Sequence, residues 1–230
     1  MAELILALDV PTRDAAVALL DRLPDVRWVK LGSVLATSAG SGFARELKAR
    51  GLSVFLDLKW HDIPNTVHGA VRGARNLGVD MVTVHTLGGR AMLAAAVEAA
   101  GDAMAVVGVT VLTSHSAQEF GIVVGRAVTD LGSEVGRLAR LGIESGLSGV
   151  VCSPLEVGAL RLQLGAGPLL VVPGIRAASQ SQGDQARTAG AADTAVAGAT
   201  HLVVGRPVVD APDPVAAWTQ LLSEACASAY

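Results

Sequence analysis

The sequence predicts an α/β protein folded as a single (β/α)8 barrel of the TIM type, and three observations lead there. Short runs rich in Val, Leu, Ile and Ala recur along the whole chain, each followed by a stretch with helical caps or spacing, so strand and helix alternate. The 230 residues suit one barrel and show no break in composition, so residues 1–230 read as one domain. Polar residues also recur where the apolar runs end, and a barrel gathers the carboxyl ends of its strands at one mouth.

Glu3–Asp9 is the first expected strand. Thr12 can cap a helix over Asp14–Leu23, because its hydroxyl accepts from a free first-turn amide. Val26–Gly32 is the second strand, with a helix over Gly42–Arg50. Leu52–Lys59 is the third, a short run of β-branched, aromatic and aliphatic residues after Gly51, and a helix over Asn65–Asn76 follows, closed by Gly78. Val79–Thr86 is the fourth, with a helix over Arg90–Ala100 closed by Gly101. Ala103–Leu112 is the fifth, and a loop through Thr113–Ser116 leads to helical segments between Ala117 and Ser145. Gly149–Ser153 is the sixth, with a helix over Pro154–Leu164 that starts on a proline, tolerated in the first turn. Leu169–Pro173 is the seventh, followed by a polar segment, Arg176–Gly183, and a helix over Gln185–Ala197. His201–Gly205 is the eighth, and Pro214–Ala227 closes the chain as a helix.

Composition narrows the function classes. Residues are 51% hydrophobic but only 3% aromatic, which fits parallel strands covered on both faces. No apolar run reaches membrane length, since the longest, Ala103–Leu112, has the length of a strand; no membrane partner is expected. The start, Met1-Ala2-Glu3-Leu4, lacks the basic region of a signal peptide, so a cytoplasmic location is expected. The 18 basic and 21 acidic residues are interspersed, with a net charge of −3, which argues against a nucleic-acid surface and for a small ligand. Cys152 and Cys226 have no C-x-x-C spacing, so neither a disulfide framework nor a zinc site is expected.

One stretch stands apart, Asp57-Leu58-Lys59-Trp60-His61-Asp62-Ile63-Pro64-Asn65-Thr66. Alternation along a strand sends Asp57 and Lys59 to one face and Leu56 and Leu58 to the other. A carboxylate and an ammonium then share a space where leaving water costs each several kcal/mol, so stability alone is a poor reason to keep them. Six of the other seven strands end in the same way, on Asp9, Lys30, His85, Thr113, Ser153 and Gly205-Arg206. Asp9 alone could be a helix cap and His85 a satisfied core histidine; together they converge on one site. Loops after the last two strands of a barrel commonly bind phosphate, and Gly205 with Arg206 offers a close backbone amide and a forked cation. Arg176 and Gln185 flank the polar segment, which reads as a lid over the same group.

The ten-residue stretch resembles the signature of the bacterial orotidine 5′-phosphate decarboxylases. The likeness runs through the chain in order: Leu8-Asp9-Val10, Val29-Lys30-Leu31-Gly32, Val84-His85, Val111-Leu112-Thr113-Ser114, Pro173-Gly174-Ile175-Arg176, Asp184-Gln185 with Arg187, and Val204-Gly205-Arg206-Pro207. Ala177 and Ala189 stand where many relatives have proline, in or beside the lid. The resemblance implies that Lys59 is the proton donor, in an alternating network with Lys30, Asp57 and Asp62, the last contributed by the neighbouring subunit of a homodimer. It implies that Asp9 and Lys30 hold ribose hydroxyls, with Asp62 and Thr66 doing so across the interface, and that Thr113 lies by the pyrimidine. Gln185, Gly205 and Arg206 would bind the phosphate, with Arg176 at the start of the lid.

The implied reaction converts orotidine 5′-phosphate to uridine 5′-phosphate and carbon dioxide, with no metal and no cofactor. The electron pair left at C6 lies in the ring plane and cannot conjugate, so fixed charges must stabilise it. A related barrel chemistry, sugar-phosphate decarboxylation or aldol cleavage with magnesium, uses a similar Asp-x-Lys-x-x-Asp pattern. His61-Asp62-Ile63-Pro64 argues against it, as does the lack of further acidic residues placed for a metal. A catalytically silent nucleotide-binding barrel is the other alternative, and the presence of Lys59 argues against that.

Overall fold

The computed structural model describes residues 2–175 and 188–227. Eight parallel strands close into a barrel in chain order: β1 (Glu3–Ala7), β2 (Trp28–Gly32), β3 (Ser53–Trp60), β4 (Met81–His85), β5 (Ala105–Val109), β6 (Gly149–Val151), β7 (Leu169–Val172) and β8 (His201–Val204), which pairs back onto β1. The barrel is as the sequence predicts. The helices are more numerous than the eight expected. Beside α1 (Arg13–Asp21), which Thr12 caps by accepting from the Ala15 N–H, the chain forms α2 (Ser33–Ala39) and α3 (Gly42–Ala49). Then follow α4 (Pro64–Asn76), α5 (Gly89–Ala100), α6 (Ala117–Val124), α7 (Leu131–Glu144), α8 (Val157–Leu164), α9 (Ala191–Val196), α10 (Arg206–Val209) and α11 (Pro214–Ala227). Gly125, left-handed at φ 69°, ends α6, so the helical segments expected between Ala117 and Ser145 are two, α6 and α7.

Two cores position the site. The larger lies between sheet and helices and takes the outward side chains, such as Leu6, Val29, Val54, Leu56, Val82 and Val84. The smaller fills the barrel itself: Ile5, Ala7, Phe55, Met81, Val107, Val171 and Val203, with Trp28 and Val151 packed against them. Burying each large side chain contributes about 1.5–3 kcal/mol, so this plug fixes the strands against one another. Two residues further along four strands, on the same face, stand Asp9, Lys30, Asp57 and Thr83. The apolar plug is therefore the floor on which the polar residues stand. No helix among the described residues is long and apolar enough to cross a membrane.

Candidate active site

A cavity of about 600 Å3 opens at the carboxyl ends of the strands. Phe55, Val151, Val171 and Val203 form its floor, and Asp9, Lys30, Asp57, Lys59, Thr113, Gly205 and Arg206 line its walls. Seven of the expected site residues, from five strands and their loops, thus share one space. Asp62 and Thr66 do not: both are exposed, on the loop after β3 and the first turn of α4, and neither lines this cavity. Arg176 and Gln185, and with them the expected lid and Ala177, lie outside the described residues. Ala189 pairs with Ile175 across an isolated β-bridge, which ties the far side of that segment to the end of β7.

The charges form a chain. Asp9 Oδ1 stands 3.0 Å from Lys30 Nζ, Lys30 Nζ 3.7 Å from Asp57 Oδ2, and both Asp57 oxygens accept from Lys59 Nζ at 2.9 Å. Exposure rises outward: Asp57 is buried, the Lys30 side chain is 12% exposed and that of Lys59 38%. Burial pushes the Asp57 carboxyl up, but the positive charges of Lys30 and Lys59, with hydrogen bonds from Lys59 and Thr83, outweigh it and hold the group below its usual range. Asp57 is therefore an ionised carboxylate with a cation on either side.

The backbone at Lys59 departs from simple alternation. Lys59 has φ 51°, the only non-glycine residue with positive φ among those described, and the β3–β4 register slips between Leu56 and Trp60. Its N–H donates to Thr83 Oγ1 at 2.8 Å, and that hydroxyl donates to Asp57 Oδ1 at 3.0 Å. Sequence reading missed Thr83, which looks like any β-branched residue in a strand. Asp210 was missed as well: it lines the cavity one helical turn beyond Arg206, and the spacing of four was the signal.

His85 ends β4 as expected, whereas Ser153 lies two residues beyond the end of β6, and neither lines the cavity. The His85 ring lies 5.6 Å from that of His61, and its Nδ1 is buried without a partner, so it is not the satisfied core histidine that was the ordinary alternative. Burial, then the neighbouring His61 and Lys59, pushes its pKa down to about 4, which leaves the ring neutral. Ser153 is fully buried, and its N–H donates to Glu156. Among the described residues no group of three or more His, Cys, Asp or Glu could hold a metal ion.

Residues 2–221 match the family model described as orotidine 5′-phosphate decarboxylase / HUMPS family. The chain is 48% identical over 232 residues to an orotidine 5′-phosphate decarboxylase of Halorhodospira halophila, covering 98% of this chain and 96% of that one. It is 49% identical over 212 residues to one of Anaeromyxobacter sp., with 92% of each covered. The crystal structure of orotidine 5′-phosphate decarboxylase from Lactobacillus acidophilus superposes with a TM-score of 0.87 at 34% identity, over 98% of this chain and 100% of that chain. A match over nearly the whole chain, with relatives close to half identical, places this protein in the orotidine 5′-phosphate decarboxylase / HUMPS family.

Proposed function

We propose that the chain decarboxylates orotidine 5′-phosphate to uridine 5′-phosphate and carbon dioxide, the last step in making that nucleotide, without a metal or cofactor. The observation that carries this reading is the Asp9–Lys30–Asp57–Lys59 chain over an apolar floor. Lys59 is the proton donor. As the bond from C6 to the carboxylate breaks, the electron pair stays on C6; the Lys59 ammonium faces that charge and then delivers its proton. Asp57 holds Lys59 and lies toward the departing carboxylate. Two like charges about 4 Å apart at an effective dielectric near 20 repel by roughly 4 kcal/mol, and that repulsion ends when neutral carbon dioxide leaves.

Asp9 and Lys30 hold the ribose hydroxyls, Thr113 lies by the pyrimidine, and Gly205, Arg206 and Gln185 take the phosphate, Gln185 lying outside the described residues. Asp62 and Thr66 serve the site of a second copy, in a cytoplasmic homodimer of single-domain chains. Their exposure outside their own cavity, beside an Ile63 that is 66% exposed, supports this assembly. The test follows the absorbance of orotidine 5′-phosphate with purified protein and a chelator present, beside Lys59→Ala. Rapid loss with the first and none with the second is expected. A silent wild type, or activity that the chelator abolishes, overturns the reading.

A further inference from the structure

We propose that Thr83 is a positioning residue for this reaction, its hydroxyl locking the Lys59 backbone and the Asp57 carboxylate together so that the ammonium is aimed into the cavity. The inference rests on the decarboxylase reading and adds to it a residue that does not itself line the cavity.

The hydrogen bonds close a ring that begins and ends on Lys59. Its N–H donates to Thr83 Oγ1, the Thr83 hydroxyl donates to Asp57 Oδ1, and both Asp57 oxygens accept from Lys59 Nζ. A threonine hydroxyl has one proton to give and lone pairs to accept with, so the two bonds use it in both senses. Lys59 needs such a tie because a non-glycine residue at φ 51° persists only where its surroundings over-determine it. The slip in register between Leu56 and Trp60 leaves this part of β3 without a continuous ladder to β4, and the threonine stands in for it. Thr83 is fully buried, so solvent does not readily substitute for its hydroxyl.

The platform is rigid. β4 pairs with β5 without interruption from Met81–Ala105 to His85–Val109, and Met81, two residues before Thr83, belongs to the plug inside the barrel. Thr83 thus links a continuously paired strand, anchored in the barrel's inner core, to Lys59 with its positive φ.

The experiment compares wild type, Thr83→Val, which keeps the shape and removes both bonds, Thr83→Ala as a second deletion of the hydroxyl, and Thr83→Ser, which retains it. Expected are at least a tenfold loss of kcat in the hydroxyl-less variants, kcat within threefold of wild type for serine, and affinity for uridine 5′-monophosphate within threefold throughout. A crystal structure of Thr83→Val, or of Thr83→Ala where valine is not tolerated, should show Lys59 out of its left-handed conformation or its Nζ drawn away from Asp57. The proposal is overturned by hydroxyl-less variants that turn over within threefold of wild type. Serine falling as far as valine overturns it too, as does nucleotide affinity falling in step with kcat, or Lys59 unmoved in the variant crystal. A wild type that leaves orotidine 5′-phosphate intact sinks the decarboxylase reading instead, and Thr83 is then judged on the crystal structure alone.

Discussion

A methyl group at Gly32 would fall 3.0 Å from Lys30 Nζ and 3.4 Å from Asp9 Oδ1, so the bare backbone of Gly32 is what leaves Lys30 room to reach Asp9. Gly32 is extended, at φ −89° and ψ 176°, which any residue adopts, so only the added volume matters. Its neighbour is the end of a flexible side chain, which yields at little cost in stability. Gly32→Ala is therefore expected to keep its melting temperature within about 3 °C while kcat/KM falls about tenfold, equivalent to about 1.4 kcal/mol in the transition state. In a Lys30→Ala background the same change should cost less than about twofold, since the group it displaces is gone. Equal losses in both backgrounds would show that Gly32 acts on something else.

The exposure of Asp62 has a direct test. With Asp62 supplied to the partner's cavity, Lys59→Ala and Asp62→Ala are each nearly inactive as pure proteins. Unfolded and refolded together in equal amounts, they form mixed dimers, each with one intact site and one doubly altered site. Half the dimers are then half active, and activity should recover to about one quarter of wild type by the symmetry of the pairing. No recovery on mixing would mean that Asp62 serves its own chain.

Stability should fall on mild acidification because of His201. The ring packs edge-on to Trp28 at 5.5 Å, buried at the amino end of β8, and burial pushes its pKa down to about 4 from 6.5. Between those values the unfolded chain binds more protons than the folded one. The contribution is thus complete above about pH 6.5 and lost as pH drops toward 4. From pH 7 to pH 5 this one group costs about 2 kcal/mol. His201→Phe keeps the edge contact and removes the titration, so it should lose about 2 kcal/mol less than wild type over that interval in denaturant midpoints. Parallel losses in the two proteins would contradict the assignment.

The barrel was legible because its strands are short apolar runs closed by recognisable caps, and because polar residues end them in rhythm. Asp9, Lys30 and Asp57 were found for that reason, each two residues beyond an apolar one on the same face, and Lys59 because it follows Asp57 at the same spacing. The route to Lys59 differed from the expectation. Alternation put it on the face of Asp57, whereas the chain brings it there through a positive φ and a slipped register, neither of which a residue pattern records. Thr83 was invisible because its role depends on a partner 24 residues away in sequence. The helix α2 was missed because Ser33–Ala39 has weak apolar periodicity and only Leu35 buried. The short α10 was absorbed into the loop after the last strand.

Arg206→Ala tests the phosphate contact proposed for this residue. The arginine is exposed at the first turn of α10, beside Gly205, where an added Cβ would crowd Asp9 Oδ2 at 3.3 Å. Truncating an exposed arginine away from the core typically changes stability by under about 0.5 kcal/mol, so Arg206→Ala should melt within about 2 °C of wild type. A charge-assisted bond to phosphate is stronger, about 1.5–3 kcal/mol, and its loss should lower kcat/KM by one to two orders of magnitude. The same arginine predicts how the loss is distributed. Wild type should prefer uridine 5′-monophosphate to uridine, and in the variant that preference should narrow by about the factor lost in kcat/KM, because uridine carries no phosphate for Arg206 to hold. Competition measurements with the two ligands decide it: a variant that loses affinity for uridine as much as for the monophosphate would place Arg206 in support of the cavity wall rather than on the phosphate.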